Sequence, residues 1–304
     1  MAIARARVSD FEEQTGEQVS RAGALWATIK RKPLGIASAV LIALLVLTAI
    51  FAEALSPYDP LAAQPEIRLA PPSWAHPFGT DDIGRDVLSR IIYGSRISLW
   101  VGLLAVGIGT LAGMVVGLVS GYWEGRTDLI LQRVMDAVQA IPGLILALAI
   151  VSVLTPSTTN AMLAIAVVII PGNSRIVRGA VLSAKQNRYV EAAQALGCRH
   201  LHIIGLHILP NVTAPIMVVA TLGLGVAILA ESSLSFLGFG VPPPTPSWGA
   251  MLSGSGRTYM LQAPWMAVFP GIAISLAVFG FNMLGDALRD LLDPRLRGGP
   301  QGRS

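Results

Sequence analysis

The chain has 304 residues, of which 53% are hydrophobic and only 13% are charged, and its mean hydropathy is +0.62. Apolar runs of about twenty residues recur, which is the length that a helix needs to cross a bilayer core, so the composition predicts a helical membrane protein. The net charge of +4 does not indicate a nucleic-acid partner, since the basic residues gather beside the apolar runs. The single cysteine, Cys198, excludes an internal disulfide framework and a multi-cysteine metal site.

The N-terminal tail, residues 1–33, precedes the first apolar run. Ser9-Asp10-Phe11-Glu12 has the sequence pattern of a helix capping box, and Trp26 and Ile29 follow before a basic cluster. This pattern is compatible with a helix along the inner membrane surface and equally with a disordered tail. Ala52-Glu53-Ala54 fits a signal-peptide cleavage pattern, but the apolar run before it is longer than a signal core, which favours an uncleaved first span.

Six apolar segments predict an all-α polytopic fold with six transmembrane helices. The third segment contains Pro142 and the sixth contains Pro270, and each proline predicts a kink because it removes a backbone hydrogen bond. The fourth has a short apolar stretch followed by Pro171, so Arg175 or Arg178 at its inner end is expected to reach the membrane interface. The segments cover residues 34–55, 98–120, 134–154, 160–178, 211–231 and 265–285.

The basic residues predict the orientation of these spans. Of the 22 lysines and arginines, 17 lie in or beside the two tails or in segments 121–133 and 175–206. The positive-inside rule therefore predicts that these segments and both termini are cytoplasmic. The expected organisation is a tail over residues 1–33, a membrane domain over 34–290 with outer loops 56–97 and 232–264 and a cytoplasmic loop 188–210, and a second tail over 291–304.

The first predicted outer loop contains a charged stretch, and the second contains a proline-rich stretch. In GTDDIGRDVLSR, residues 79–90, acidic residues precede a predicted helix, in which Asp86 is expected to pair with Arg90 one turn later. The prolines at 242–244, followed by Trp248, predict a stiff loop at the level of the membrane interface. Helix initiation and loop rigidity explain both patterns, and contact with an outer partner or a substrate is the alternative.

A stripe of glycines marks the second span. Glycine recurs at every fourth position, which lets another helix approach the backbone closely. The spacing predicts close helix packing, either within this chain or against another subunit. The stripe consists of Gly109, Gly113, Gly117 and Gly121.

The stretch EAAQALGCRHLHIIGLHILPN, residues 191–211, is unusually polar for this chain. Residues 189–196 are helix formers, Gly197 permits a helix stop, and the apolar spacing that follows predicts a second short helix ending where Leu209-Pro210 starts the fifth span. This helix-turn-helix has a face of alanine and glycine. Such a smooth face suits a groove on another protein, whereas a linker on the lipid headgroups usually anchors with larger apolar side chains.

Several motifs carry a family resemblance. Glu191-Ala192-Ala193, Gly197 and Leu209-Pro210 resemble the EAA loop of bacterial ABC importer permeases, although His207 stands where that pattern often has isoleucine. HPFGTDDIGRDVLSRIIYGSRISL, SLSFLGFGVPPPTPSWGAML and FNMLGDALRDLLDPRLR are similar to successive segments of the peptide/nickel importer family. The resemblance spans nearly the whole chain, and the long first outer loop resembles the C-type partner of the two permeases.

This resemblance implies the type I ABC importer permease fold and half of a translocation pore in the bacterial cytoplasmic membrane. It implies import of short peptides, with nickel complexes or glutathione as alternative cargo. The implied partners are a second homologous permease, two ATP-binding subunits or domains, an extracytoplasmic binding protein and membrane lipid. Closure of the ATPase pair would push on residues 189–205, where Glu191 supplies a polar docking contact and Gly197 the bend.

No catalytic residue or cofactor is expected in this chain. It has no G-x-x-x-x-G-K-[ST] phosphate loop, so ATP and Mg²⁺ are expected in the partner ATPase subunits. An intramembrane hydrolase is the rival class, on the strength of Ser253-Gly254-Ser255-Gly256. A serine nucleophile needs a base within hydrogen-bond reach, and His76 is the only histidine predicted on that side of the membrane.

Neither a metal site nor a substrate site emerges from the sequence. Of the clustered His200, His202 and His207, only the first and last share a helix face, which favours solvated or docking histidines over metal ligands. A channel is disfavoured because no charged ring or filter-like segment is present. The ionisable residues of the spans lie at span ends, so no substrate-binding residue is identified; they are Glu53, Asp136, Glu231 and Asp286.

Overall fold

The computed structural model describes residues 33–292, so the predicted N-terminal tail and most of the C-terminal tail lie outside the described residues. Within this range the only β-type pairing is an isolated bridge between Thr80 and Asp86. The predicted all-α fold is confirmed. The helices are α1 (Pro33–Ile50), α2 (Ala52–Leu55), α3 (Val87–Trp123), α4 (Gly125–Gln139), α5 (Gly143–Leu154), α6 (Thr158–Lys185), α7 (Arg188–Ala195), α8 (His200–His202), α9 (Leu209–Phe236), α10 (Trp248–Leu252), α11 (Ser255–Thr258) and α12 (Trp265–Leu292), with a 3-10 turn at Pro65–Ile67 and a π-helix at Ile203–Ile208.

Five helical stretches of the described chain are long and apolar enough to cross a membrane. They are α1, α3, α6, the continuous stretch His200–Phe236 and α12. The pair α4 and α5 passes the same test only together, with an 86° bend between the two axes. The described part of the chain thus has five spans, or six when the bent pair is counted as one.

The predicted third span, 134–154, is not one kinked helix. The chain leaves the helical conformation at Pro142, whose ψ of 128° is extended, and α5 restarts at Gly143. Proline disfavours the helical conformation of the residue before it and has no N–H to donate, so the helix ends here. At 12 residues, α5 reaches only about 18 Å and does not span a bilayer alone.

The predicted outer loops are shorter than expected. Residues 87–97 belong to α3, and the fifth span continues to Phe236 before the chain turns. Helix α3 has 37 residues, or roughly 55 Å at the α-helical rise, so it extends well beyond a bilayer core of about 30 Å.

Helices α3 and α6 form a parallel pair along the glycine stripe. A Cβ atom added at Gly109 would lie 2.8 Å from the Ala166 carbonyl oxygen, and one at Gly117 would lie 2.6 Å from the Ser174 carbonyl oxygen. Such distances leave no room for a side chain. All four glycines of the stripe lie against α6, so the close packing is within the chain.

The two arginines that are predicted to reach the membrane interface form ion pairs with α4. Arg178 donates from Nε to Asp128 Oδ1 at 2.6 Å, and Arg175 donates to Asp136 Oδ1 at 2.6 Å. Ser120, near the end of α3, also hydrogen bonds to Asp128. These contacts fix the amphipathic α4 beside α3 and α6.

The remaining long helices complete the bundle. Helix α9 runs antiparallel to α3, because Gly102 approaches Ile228 while Val106 approaches Gly223. It is also antiparallel to α12, because Gly285 approaches Leu222 while Val278 approaches Gly225, and α1 packs against α12 through Ile42. We call the end that carries residues 56–86 and 237–264 the upper end. The opposite end, which carries α7, is the lower end.

The upper end is an ordered cap. Asp86 caps α3 by accepting the backbone N–H of Ser89 at 2.7 Å and also bonds to His76 Nδ1 at 2.9 Å. The predicted pair between Asp86 and Arg90 is therefore wrong. Arg90 Nη1 donates to the Pro60 carbonyl at 3.2 Å, because the carboxylate of Asp86 already serves the helix end and His76.

Trp248 was predicted at the membrane interface but is buried inside the cap. Its side chain packs among α1, α9 and α12, and its Nε1 donates to the Ile91 carbonyl at 3.0 Å. Glu231 is also fully buried. Its carboxylate accepts hydrogen bonds from Ser98 Oγ at 3.2 Å and from Ser235 Oγ at 2.7 Å. Trp248 ties the upper end to the bundle, and Glu231 joins α9 to α3.

Candidate functional site

The segment 188–210 lies across the lower end of the bundle and is held there by its apolar side. Val190 and Ala193 of α7 are buried in one cluster with Ile203 and Ile208. The cluster also includes residues of α3 and α6, among them Leu118. This half of the segment is part of the protein core, so a force on α7 reaches the long helices directly.

Gly197 ends α7 through a defined turn. The Gly197 N–H donates to the Gln194 carbonyl at 2.9 Å, and the Cys198 N–H donates to the Ala193 carbonyl at 3.1 Å. These two bonds form a Schellman motif, in which the residue after the helix cap adopts a left-handed conformation. Gly197 has a φ of +75°, a region that residues with a Cβ atom rarely occupy.

The predicted second short helix is not separate from the fifth span. The chain is helical without a break from His200 to Phe236, and residues 203–208 form a π-helix. The wider turn lies just before Pro210, where an ordinary α-helical ladder would require an N–H that proline lacks. Residues 200–208 are therefore a continuous extension of α9, and α7 precedes them across the turn at Gly197. Leu209 is half-buried and Pro210 is exposed.

The opposite side of the segment is exposed. Glu191 and Ala192 face away from the core, whereas Ala193 packs into it, so the three residues of the EAA motif are divided between two roles. Leu196 is 83% exposed and Leu201 is 78% exposed. Two large exposed apolar side chains mark a surface that is covered by another protein or by the membrane interface. The sequence pattern missed these leucines because it emphasised the bare alanine face.

The end of α3 makes polar contacts with this segment and with the end of α6. Tyr122 Oη lies 2.8 Å from His200 Nδ1. Lys185 Nζ donates to the Tyr122 carbonyl at 2.8 Å and to Glu124 Oε1 at 2.6 Å. His202 and His207 lie with ring centroids 6.0 Å apart. Among residues 33–292, no group of three or more metal-ligating side chains is close enough to hold an ion.

The geometry at the upper end does not resemble a serine hydrolase site. His76 bonds to Asp86, and Ser89 Oγ donates to the same carboxylate at 2.7 Å. A nucleophilic serine must bond to the histidine, not only to the aspartate. Ser253, one of the serines on which the hydrolase alternative depends, instead donates to the Ala250 carbonyl at 2.8 Å.

The fold and the lower-end segment define a polytopic membrane protein with an exposed helix that is rigidly joined to its spans. A family model described as binding-protein-dependent transport system inner membrane component matches residues 113–298, and one described as the N-terminal TM domain of oligopeptide transport permease C matches residues 20–72. The chain belongs to the binding-protein-dependent transport system inner membrane component family.

Curated relatives cover most of the chain. The dipeptide transport system permease protein DppC of Alkalihalophilus pseudofirmus is 46% identical over 88% of each chain. The probable D,D-dipeptide transport system permease protein DdpC of Escherichia coli is 46% identical over 89% of this chain and 90% of that protein. The glutathione transport system permease protein GsiD of Pectobacterium atrosepticum is 42% identical over 90% of each.

A solved structure supports the fold. The MetNI methionine ABC transporter in an inward-facing conformation aligns with a TM-score of 0.52 over 66% of this chain and 97% of that chain, at 17% identity. The type I ABC importer permease fold predicted from the motifs is confirmed. This chain is a multi-pass membrane permease of an ABC transporter. Members of this family are not ATPases themselves and work with ATPase partners and a transmembrane partner.

Proposed function

We propose that this chain is one of two permeases of an importer for short peptides, and that its segment 188–210 docks on the ATPase subunits. The peptide cargo is supported by the relatives, whose names refer to dipeptides, D,D-dipeptides and glutathione, itself a short peptide. The permease pair, two ATP-binding subunits or domains and an extracytoplasmic binding protein complete the proposed assembly. ATP and Mg²⁺ are bound by the ATPase subunits, and no cofactor is assigned to this chain.

The division of α7 into a buried and an exposed side carries the coupling proposal. Val190 and Ala193 belong to the core cluster that includes α3 and α6, while Glu191, Ala192 and Leu196 are exposed. A partner that moves the exposed side of α7 moves the spans, because the buried side of α7 packs in this cluster with Ile203 and Ile208, which continue into α9 without a break. This is the mechanical link that alternating access requires.

The proposed location is the bacterial cytoplasmic membrane, with the lower end and both termini in the cytoplasm. The excess of lysine and arginine at that end supports this orientation. The upper cap then faces the extracytoplasmic binding protein, and the exposed α7 surface faces the ATPase subunits.

The test of docking is co-purification of the ATPase subunits with a tagged copy of this chain in mild detergent. We expect Glu191→Lys to lower the recovered ATPase about tenfold, the effect of losing about 1.4 kcal/mol at an interface. Glu66→Lys makes the same change at an exposed site of the upper end and is expected to leave recovery unchanged. Equal recovery from Glu191→Lys and wild type would contradict docking by α7.

The cargo is tested separately by uptake of labelled peptides into proteoliposomes that contain the complete importer. We expect ATP-dependent uptake of dipeptides or slightly longer peptides, with competition among them. Intact ATPase docking without uptake of any peptide in a panel would retain the permease assignment and overturn the peptide cargo.

A further inference from the structure

A cavity of about 340 Å³ lies in the upper cap. Its walls come from the start of α3, from the prolines at 242–244 and from the turn after α10 that contains Ser253. This volume is within the range of small-molecule sites, roughly 300–1,000 Å³. The prolines fix the wall in shape and contribute no N–H donors.

Three charged residues line this cavity and hold one another in place. Asp81 Oδ1 accepts the backbone N–H groups of Ile83 and Arg85. Asp81 Oδ2 accepts Arg85 Nε at 2.6 Å and lies 3.7 Å from Arg90 Nε. Both carboxylate oxygens are therefore engaged. The wall therefore contains two guanidinium groups and one carboxylate, and both oxygens of that carboxylate already accept hydrogen bonds.

Arg85 has hydrogen-bond donors that no other described residue uses. Its Nε is committed to Asp81, but its two terminal nitrogens have no hydrogen-bond partner among residues 33–292. The Arg85 side chain is 17% exposed and lines the cavity, whereas the Arg90 side chain is 8% exposed and donates to Pro60. A guanidinium held in place by one edge presents a planar pair of donors that matches a carboxylate.

We propose that this cavity binds the C-terminal carboxylate of a short peptide, with Arg85 as the carboxylate-binding residue and Arg90 adding positive charge beside it. The proposal rests on the peptide cargo proposed above and adds a substrate contact within the permease itself. A carboxylate entering the cavity meets the two terminal nitrogens of Arg85 in a partly desolvated site, where a charge-assisted hydrogen bond is stronger than in water. Asp81 and Asp82 offset part of the positive charge of the two arginines.

The test is equilibrium binding of tritiated dialanine to the whole importer in lipid nanodiscs, without the extracytoplasmic binding protein. We expect wild type to bind dialanine about tenfold more tightly than dialanine amide, which lacks the carboxylate. Arg85→Gln is expected to abolish this preference. It retains both backbone N–H donors to Asp81, so the cap keeps these bonds. Arg257→Gln removes an exposed upper-end arginine outside the cavity and is expected to retain the preference.

Each alternative outcome has a definite meaning. Absence of dialanine binding to wild type, or a carboxylate preference that persists in Arg85→Gln, would overturn the cavity assignment while peptide uptake by the complete importer continues to support the cargo. If Arg85→Gln instead weakens docking of the binding protein and leaves dialanine binding unchanged, the carboxylate belongs to that partner and the proposal fails. Absence of uptake for a whole peptide panel overturns the cargo itself.

Discussion

At the scale of single residues, the contact between α3 and α6 depends on the absence of side chains at the glycine stripe. A Cβ atom at Gly117 would lie 2.6 Å from the Ser174 carbonyl oxygen and 2.7 Å from Val177 Cβ. We expect Gly117→Ala to lower the free energy of unfolding by about 1–3 kcal/mol, the usual cost of overpacking. Gly107→Ala on the same helix, where a Cβ meets nothing within 4 Å, is the matched control. Equal melting temperatures in detergent would contradict the packing argument.

Glu231 is a second residue whose role follows from its surroundings. The buried carboxylate accepts from Ser98 Oγ on α3 and from Ser235 Oγ in its own helix. We expect Glu231→Ala to destabilise the protein by about 1–3 kcal/mol because it leaves buried hydroxyl groups without an acceptor. Glu231→Gln retains an acceptor and should lose less. Thermal unfolding of the purified protein measures both variants, and an alanine variant as stable as the glutamine variant would refute this account.

At the scale of elements, the turn after α7 separates a backbone effect from a steric one. A Cβ atom at Gly197 or at Gly205 would meet nothing within 4 Å, but only Gly197 has a positive φ, +75°. We therefore expect Gly197→Ala to destabilise the turn by about 1–2 kcal/mol, the cost of a left-handed conformation. Gly205→Ala is expected to be neutral or slightly stabilising, since alanine favours helices.

Hydrogen exchange of the α7 amides measures this effect. Faster exchange in Gly197→Ala than in wild type, with Gly205→Ala unchanged, is the expected pattern. If the two alanine variants exchange at the same rate, the conformation of Gly197 does not determine the stability of the segment.

Elements also show what the sequence could and could not predict. The apolar runs predict most of the spans, because hydrophobic length is a local property of the chain. The bend at Pro142 was expected as a kink, but an 86° break depends on how α4 packs through Asp128 and Asp136. The helix across Pro210 was missed because the preceding π-helix is set by packing against the core cluster.

The candidate site divides in the same way. The EAA motif and the turn at Gly197 follow from residue types that are read locally. That Ala193 faces the core while Ala192 does not follows from contacts with distant segments. Arg85 and Arg90 share Asp81 within one short stretch of chain, but the pairing depends on the turn between them, which residue spacing does not specify. Sequence spacing paired Arg90 with Asp86, one turn away on the same helix, and had no means of knowing that Asp86 already serves the helix cap and His76.

At the scale of the whole molecule, the proposed function requires the two ends of the bundle to face different compartments. The upper cap contains the Arg85 cavity, and the lower end contains the exposed side of α7. A peptide arriving from a binding protein must meet the first, and an ATPase must meet the second. Orientation is therefore a test of the entire arrangement rather than of one contact.

The single cysteine, Cys198, makes orientation measurable. In a Cys198→Ser background, Trp74→Cys places one thiol at a fully exposed site of the upper end, and Arg126→Cys places one at an exposed site of the lower end outside α7. We expect a membrane-impermeant maleimide to label Trp74→Cys in intact spheroplasts and to label Arg126→Cys only after the membrane is permeabilised. The positive-inside rule predicts this result, because lysine and arginine concentrate at the lower end. The reverse labelling pattern would show that the proposed orientation is wrong. Glu191 would then lie outside the cytoplasm, where the ATPase subunits cannot reach it.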